Sequence, residues 1–154
     1  MDWELVSTGF EPDGALRDIN IRNTTIADWQ AVINVLTTHV PGLEYRMAGE
    51  AVDPPTDISR LFRRQTSDVG FELHVPMGMT TLNCHFFTED EVEFDLDPRE
   101  MKPEFFATLV DFFRLLGEAT TKPVLLTMEN MPEAVIMRFE PATGMVEYVG
   151  PAFD

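Results

Sequence analysis

The sequence predicts an α+β fold in which a mostly antiparallel sheet of about six to eight strands packs two long helices and one short helix on one face. Three observations predict it. Many segments place apolar residues at every second position, as half-buried strands do, while two place them at spacings of three and four, as amphipathic helices do. The period-two segments are joined by short polar or glycine-bearing turns, which pair neighbouring strands antiparallel. With 154 residues and 44% apolar composition, the chain is expected to build one core, a single α+β domain over residues 1–154.

The elements read in order as follows. Residues 16–22 alternate around Ile19 and Ile21 and lead into Asn23-Thr24-Thr25. Thr25 is placed to cap a helix, with Asp28 three residues on as in a capping box. Ile26, Trp29, Ile33, Leu36 and Val40 then mark its apolar face until Pro41-Gly42 stops it. Leu43, Tyr45 and Met47 predict a strand, and after Pro54-Pro55-Thr56 a short helix runs through Arg64. Val69 to Val75, Leu82 to Phe86 and Val92 to Leu96 each keep a period of two and form an antiparallel meander.

Pro103 at a first-turn position opens the second long helix, whose wide face of Phe105, Phe106, Leu109, Val110, Phe112, Phe113 and Leu116 implies deep burial; Gly117 is its expected end. Three further strands cover residues 123–128, 134–140 and 145–149. The order is β-β-α-β-α-β-β-β-α-β-β-β, with one strand ahead of residue 16.

Composition narrows the function. The 27 acidic and 11 basic side chains give a net charge of -16, which repels nucleic-acid phosphates and anionic lipid, so neither nucleic acid nor membrane is an expected partner. The start Met-Asp-Trp-Glu-Leu has no signal-peptide character, and no apolar run reaches the roughly 18 residues of a membrane span, so a cytoplasmic location is expected. The lone Cys84 agrees with a reducing compartment. There is no phosphate loop, dinucleotide fingerprint or His-Glu-x-x-His pair, and none of Ser7, Ser59 and Ser67 sits in a nucleophile elbow. No residue is therefore assigned a catalytic role, and no cofactor is expected beyond a candidate divalent metal.

Two surface features carry chemistry. If Leu73, Leu82 and Phe94 share the buried face of the meander, the opposite face carries Glu72, His74, Thr81, Asn83, His85, Glu93, Asp95 and Asp97. A three-residue loop before Val92 would set His85 opposite Asp95, and His74, His85 and Asp95, with Glu72, become candidate metal ligands; the plainer alternative is a solvated sheet face. The second feature is charge. Residues 89–104 hold eight acids against Arg99 and Lys102, six of the sixteen net negative charges. Glu89, Glu91, Glu93, Asp95 and Asp97 are the candidate partner-binding residues, because alternate strand positions repeat every ~6.5–7 Å, a spacing that suits a row of lysines or arginines.

In size, acidity, α+β pattern and want of a catalytic motif, the chain resembles an immunity protein. The resemblance implies a non-enzymatic binding protein that neutralises a basic bacterial toxin by protein-protein contact. A small metal-dependent enzyme or ligand-binding domain using the His74, His85 and Asp95 face is the alternative.

Overall fold

The computed structural model describes residues 2–63 and 70–150; the expected helix end at Arg64 and strand start at Val69 lie outside the described residues. The strands are β1 (Arg17–Arg22), β2 (Glu44–Met47), β3 (Glu50–Val52), β4 (Phe71–Met77), β5 (Thr80–Thr88), β6 (Glu91–Leu96), β7 (Val124–Met128), β8 (Met131–Glu140) and β9 (Met145–Tyr148). All pair antiparallel in one sheet of nine strands, ordered β3-β2-β4-β5-β6-β1-β7-β8-β9. Among the described residues there are four α-helices, α1 (Trp3–Val6), α2 (Ile26–His39), α3 (Ser59–Arg63) and α4 (Pro103–Thr120).

The α+β class and the antiparallel sheet agree with the sequence reading; the counts do not. Among the described residues nine strands stand in the sheet where about six to eight were expected; the order read from the sequence also runs to nine, but Glu50–Val52, a three-residue edge strand with every residue exposed and so no apolar alternation, is not among them. The strand expected ahead of residue 16 is instead the helical turn α1 followed by a 3-10 turn over Ser7–Phe10. Val6 and Phe10 still reach the core, and Trp3 stacks on Phe10.

Two helix ends show how local chemistry sets boundaries. At the start of α2 the capping box forms in full: Asp28 donates its backbone N–H to Thr25 Oγ1 (3.3 Å), and Thr25 donates its own to Asp28 Oδ2 (2.9 Å). At the end of α4 the expectation fails, since the helix runs past Gly117 to Thr120 and is closed by Thr121 in the left-handed region (φ 55°). Gly117 serves packing instead. A Cβ there would lie 2.1 Å from Cδ1 of Phe139 on β8, so glycine is what lets α4 approach the sheet.

The apolar sides of the four helices and of the inner strand faces form one core cluster, with Ile19, Leu73, Leu82, Cys84 and Phe94 fully buried within it. Arg17 also points to this side. Its guanidinium is buried and holds the segment before β1, donating to the carbonyls of Gly9 (2.6 Å), Glu11 (3.0 Å) and Leu16 (3.0 Å) and pairing with Asp13 (3.1 Å). Because Phe139 is buried and cannot swing clear, Gly117→Ala is expected to lower unfolding stability by about 1–3 kcal/mol, read from urea denaturation midpoints.

Candidate functional site

Strand alternation sends every second residue of β4, β5, β6 and β1 to the face away from the core. Leu73, Cys84 and Phe94 pair inward, so Glu72, Asn83, His85, Glu93, Asp95, Asp18 and Asn20 share the outer face. Across the sheet Glu72 stands opposite His85, His85 opposite Glu93, and Glu93 opposite Asn20, while Asp95 lies between Asn83 and Asp18.

This register corrects the expected one. The β5–β6 turn has two residues, Glu89 and Asp90, and a bulge between His85 and Thr88 shifts the pairing, so Glu93 and not Asp95 faces His85. A shift of two positions keeps every side chain on its face, and His85 still reaches Asp95 along the diagonal, with Nε2 2.5 Å from Oδ2. Asn83 donates to the other oxygen of Asp95 at 3.1 Å.

His74 is not gathered to this pair. Its Nε2 lies 3.2 Å from Glu72, whose other oxygen is 3.9 Å from His85 Nδ1, so Glu72 stands between the two histidines. Among the described residues, no group of three or more His, Cys, Asp and Glu side chains is placed to hold a metal ion.

The row of five acids also divides. Glu89 is exposed in the turn and Glu91 at the start of β6, whereas Glu93 and Asp95 are half-buried in the middle of the sheet. Asp97 turns to local work: it caps the 3-10 turn over Pro98–Glu100 and pairs with Arg99 at 2.7 Å, which holds its carboxyl below the ordinary value. β6 is an interior strand between β5 and β1, so its charges do not guard an edge.

Two acids that the sequence reading did not nominate complete the cluster. Asp18 on β1 is buried next to Asp95 and accepts the backbone N–H of Asn130 (2.9 Å) from the β7–β8 turn. Glu129 of that turn accepts the N–H of Leu16 (2.8 Å). Together Leu16, Asp18, His85, Phe87, Glu93, Asp95, Glu129 and Asn130 line a cavity of about 170 Å³. The alternation around Ile19 and Ile21 already places Asp18 on the outer face; what it lacks is the knowledge that β1 lies beside β6.

Burial, and after it the crowding of like charge, leaves its mark on protonation. Burial raises the Asp18 carboxyl above its ordinary value, and neighbouring Glu129 and Asp95 add to the effect. Burial likewise raises Glu93, with Asp18 and Glu91 adding to it, and Glu91. The hydrogen bond to Asp95 raises His85, against the opposing pull of its burial. The arrangement is therefore a carboxylate-rich concavity with one histidine, suited to recognising positive charge.

No helix among the described residues is long and apolar enough to cross a membrane. No protein-family model matches the chain, and no curated protein sequence matches it. Among solved structures, it is similar to a chain of the 1.75 Å crystal structure of the toxic C-terminal tip of CdiA from Pseudomonas aeruginosa in complex with immune protein. The TM-score is 0.54 over 90% of this chain and 99% of that one, with 7% sequence identity, a likeness of fold alone.

A pH dependence follows from these shifts. His85, raised above 6.5, contributes stability that is present below pH 6.5 and lost as pH rises through its folded value. Asp18, Glu91 and Glu93, also raised, act in the same direction from lower pH, whereas Asp13 and Asp97, both lowered, contribute stability that is lost as pH falls through their folded values below 3.8. Thermal unfolding should therefore occur at a higher temperature near pH 6 than near pH 8, about where a histidine titrates. In His85→Gln, which keeps a donor for Asp95, that difference should shrink.

Proposed function

We propose that this chain is a non-enzymatic, immunity-type binding protein whose outer sheet face docks a basic protein, most concretely a bacterial toxin, and neutralises it by contact. The observation that carries the reading is the acidic outer face of the sheet, where Glu91, Glu93, Asp95 and Asp18 lie side by side on β6 and β1. A concentration of one charge sign on a preformed surface accelerates encounter with a partner of opposite sign and fixes its register. The fold likeness to a chain from a toxin-immune protein complex supports the same reading. A metal-dependent activity draws less support, since His85 and Asp95 meet while His74 is turned to Glu72.

The partner is sought by capture from the cells that make this chain. The expected product is a basic polypeptide that arrests growth when expressed alone and is silenced by co-expression. A Glu91→Lys/Glu93→Lys variant that retains its fold should bind it at least roughly tenfold more weakly, with a shallower dependence of affinity on salt. Unchanged affinity and salt dependence would show that this face is not the docking surface.

A further inference from the structure

A second and larger hollow lies between the C-terminal end of α2, the turn joining β4 to β5, and one flank of α4. At about 530 Å³ this cleft falls within the ~300–1,000 Å³ of sites that enclose a small-molecule ligand, and it shares no lining residue with the cavity on the outer face.

The local sequence holds the cleft in shape. Pro41 follows the end of α2 and Pro76 precedes the turn, and the fixed φ of each stiffens the backbone at these two rims. From α4 come Thr108, Asp111, Phe112 and Leu115, whose spacings of three and four put them on one stripe of the helix. Met77 and Phe112 are buried and belong to the core, and the half-buried Val40 and Leu115 pack at its margin. The walls are therefore formed before any ligand arrives, which spares a ligand the cost of ordering them.

The chemistry of the lining selects the occupant. Val40, Met77, Phe112 and Leu115 offer an apolar wall, and a thioether beside a phenyl ring favours an aromatic body against it. Polar groups are few: the Thr108 hydroxyl, the His39 imidazole and the Asp111 carboxylate. None of the described lining residues is lysine or arginine, and with histidine neutral Asp111 carries the only formal charge among them. Asp111 meets Arg114 at 3.6 Å with both side chains exposed, a weak contact that leaves the carboxylate able to receive another cation. The end of α2 has the same sign. Val40 gives its N–H to the Leu36 carbonyl (2.8 Å), but Pro41 has none to give to Thr37, so the negative pole of the helix lies at the cleft without its full set of helical donors.

We infer that this cleft binds a small amphipathic amine, with an aromatic body against Val40, Met77, Phe112 and Leu115 and a single ammonium group near Asp111 and the end of α2. The site is separate from the docking face proposed above and does not depend on it.

Tryptamine, indole-3-ethanol and indole-3-propionate share one ring system and differ in charge; titrated into the intact chain and followed by residue-resolved NMR, they test the site. Tryptamine should shift the Val40, Met77 and Leu115 resonances saturably, with an affinity on the order of 1 mM. The neutral alcohol should bind there about three- to five-fold more weakly and the anionic acid more weakly still. Two variants at exposed positions of α4 sharpen the result. Asp111→Asn should weaken tryptamine about three- to five-fold and leave indole-3-ethanol unchanged, and Thr108→Trp, which fills the cleft, should abolish both. The absence of saturable shifts at those three residues, or equal binding of all three probes that is indifferent to Asp111→Asn, would overturn the amine site. Tryptamine shifts confined to Phe87 and Asn130 on the outer face would also overturn it, since they would report attraction to the net charge alone. The Glu91→Lys/Glu93→Lys variant leaves every cleft residue in place, so at physiological salt it should bind tryptamine as the unaltered chain does, whatever becomes of its protein partner; loss of tryptamine in that variant would place the binding on the outer face and overturn the site.

Discussion

The structure depends on the insertion of β1 between β6 and β7. Strands β2 to β6 are paired with one another without β1, as are β7 to β9; β1, hydrogen-bonded to β6 on one side and β7 on the other, makes them one sheet. As a central strand it leaves few backbone groups to water, and its inner side chains Ile19 and Ile21 are fully buried. Arg17 adds a second constraint. A buried guanidinium that left its carbonyl partners would leave acceptors unpaired as well as a charge, so the segment from Gly9 to Leu16 is held where β1 can enter the sheet.

That insertion also makes the site. Asp18 and Asn20 would be ordinary polar residues on a solvated strand, but beside β6 they face Asp95 and Glu93. The β7–β8 turn completes the lining with Glu129 and Asn130; beyond it, extra residues opposite Thr127 and Met128 bulge β8, and the Pro132 carbonyl accepts a hydrogen bond from Arg22 of β1 at 2.6 Å. The acids are thus drawn from elements far apart in sequence and partly withdrawn from water. Their mutual repulsion opposes folding, and a positive charge placed among them would relieve it.

Local chemistry was legible in the sequence and long-range arrangement was not. The capping box at Thr25 and Asp28, the first-turn Pro103 and the inward faces of the meander are set by residues within a few positions of one another, and each is found where periodicity placed it. Gly117 misled because a helix-ending glycine and a glycine that admits a neighbouring ring look alike until Phe139 is known to cross there. His85 and Asp95 were brought together despite a wrong register, since a displacement by two positions preserves the face. His74 parted from them because Glu72, on its own strand, was nearer. Asp18 and Glu129 were missed for one reason: the order of strands is decided by pairings that no local pattern records.

The place of β1 has a consequence for the chain as it is made. Its residues leave the ribosome before either neighbour exists, and at roughly 5–20 residues per second β6 follows only after several seconds and β7 later still. Through that interval the segment must remain unpaired without finding a substitute strand in another nascent chain. Arg17, Asp18 and Arg22, interleaved with Ile19 and Ile21, break the apolar run that such mispairing needs. The charges that in the finished fold clamp the N-terminal segment and line the cavity therefore have an earlier task, keeping an interior strand of the sheet soluble until both of its partners have been synthesised.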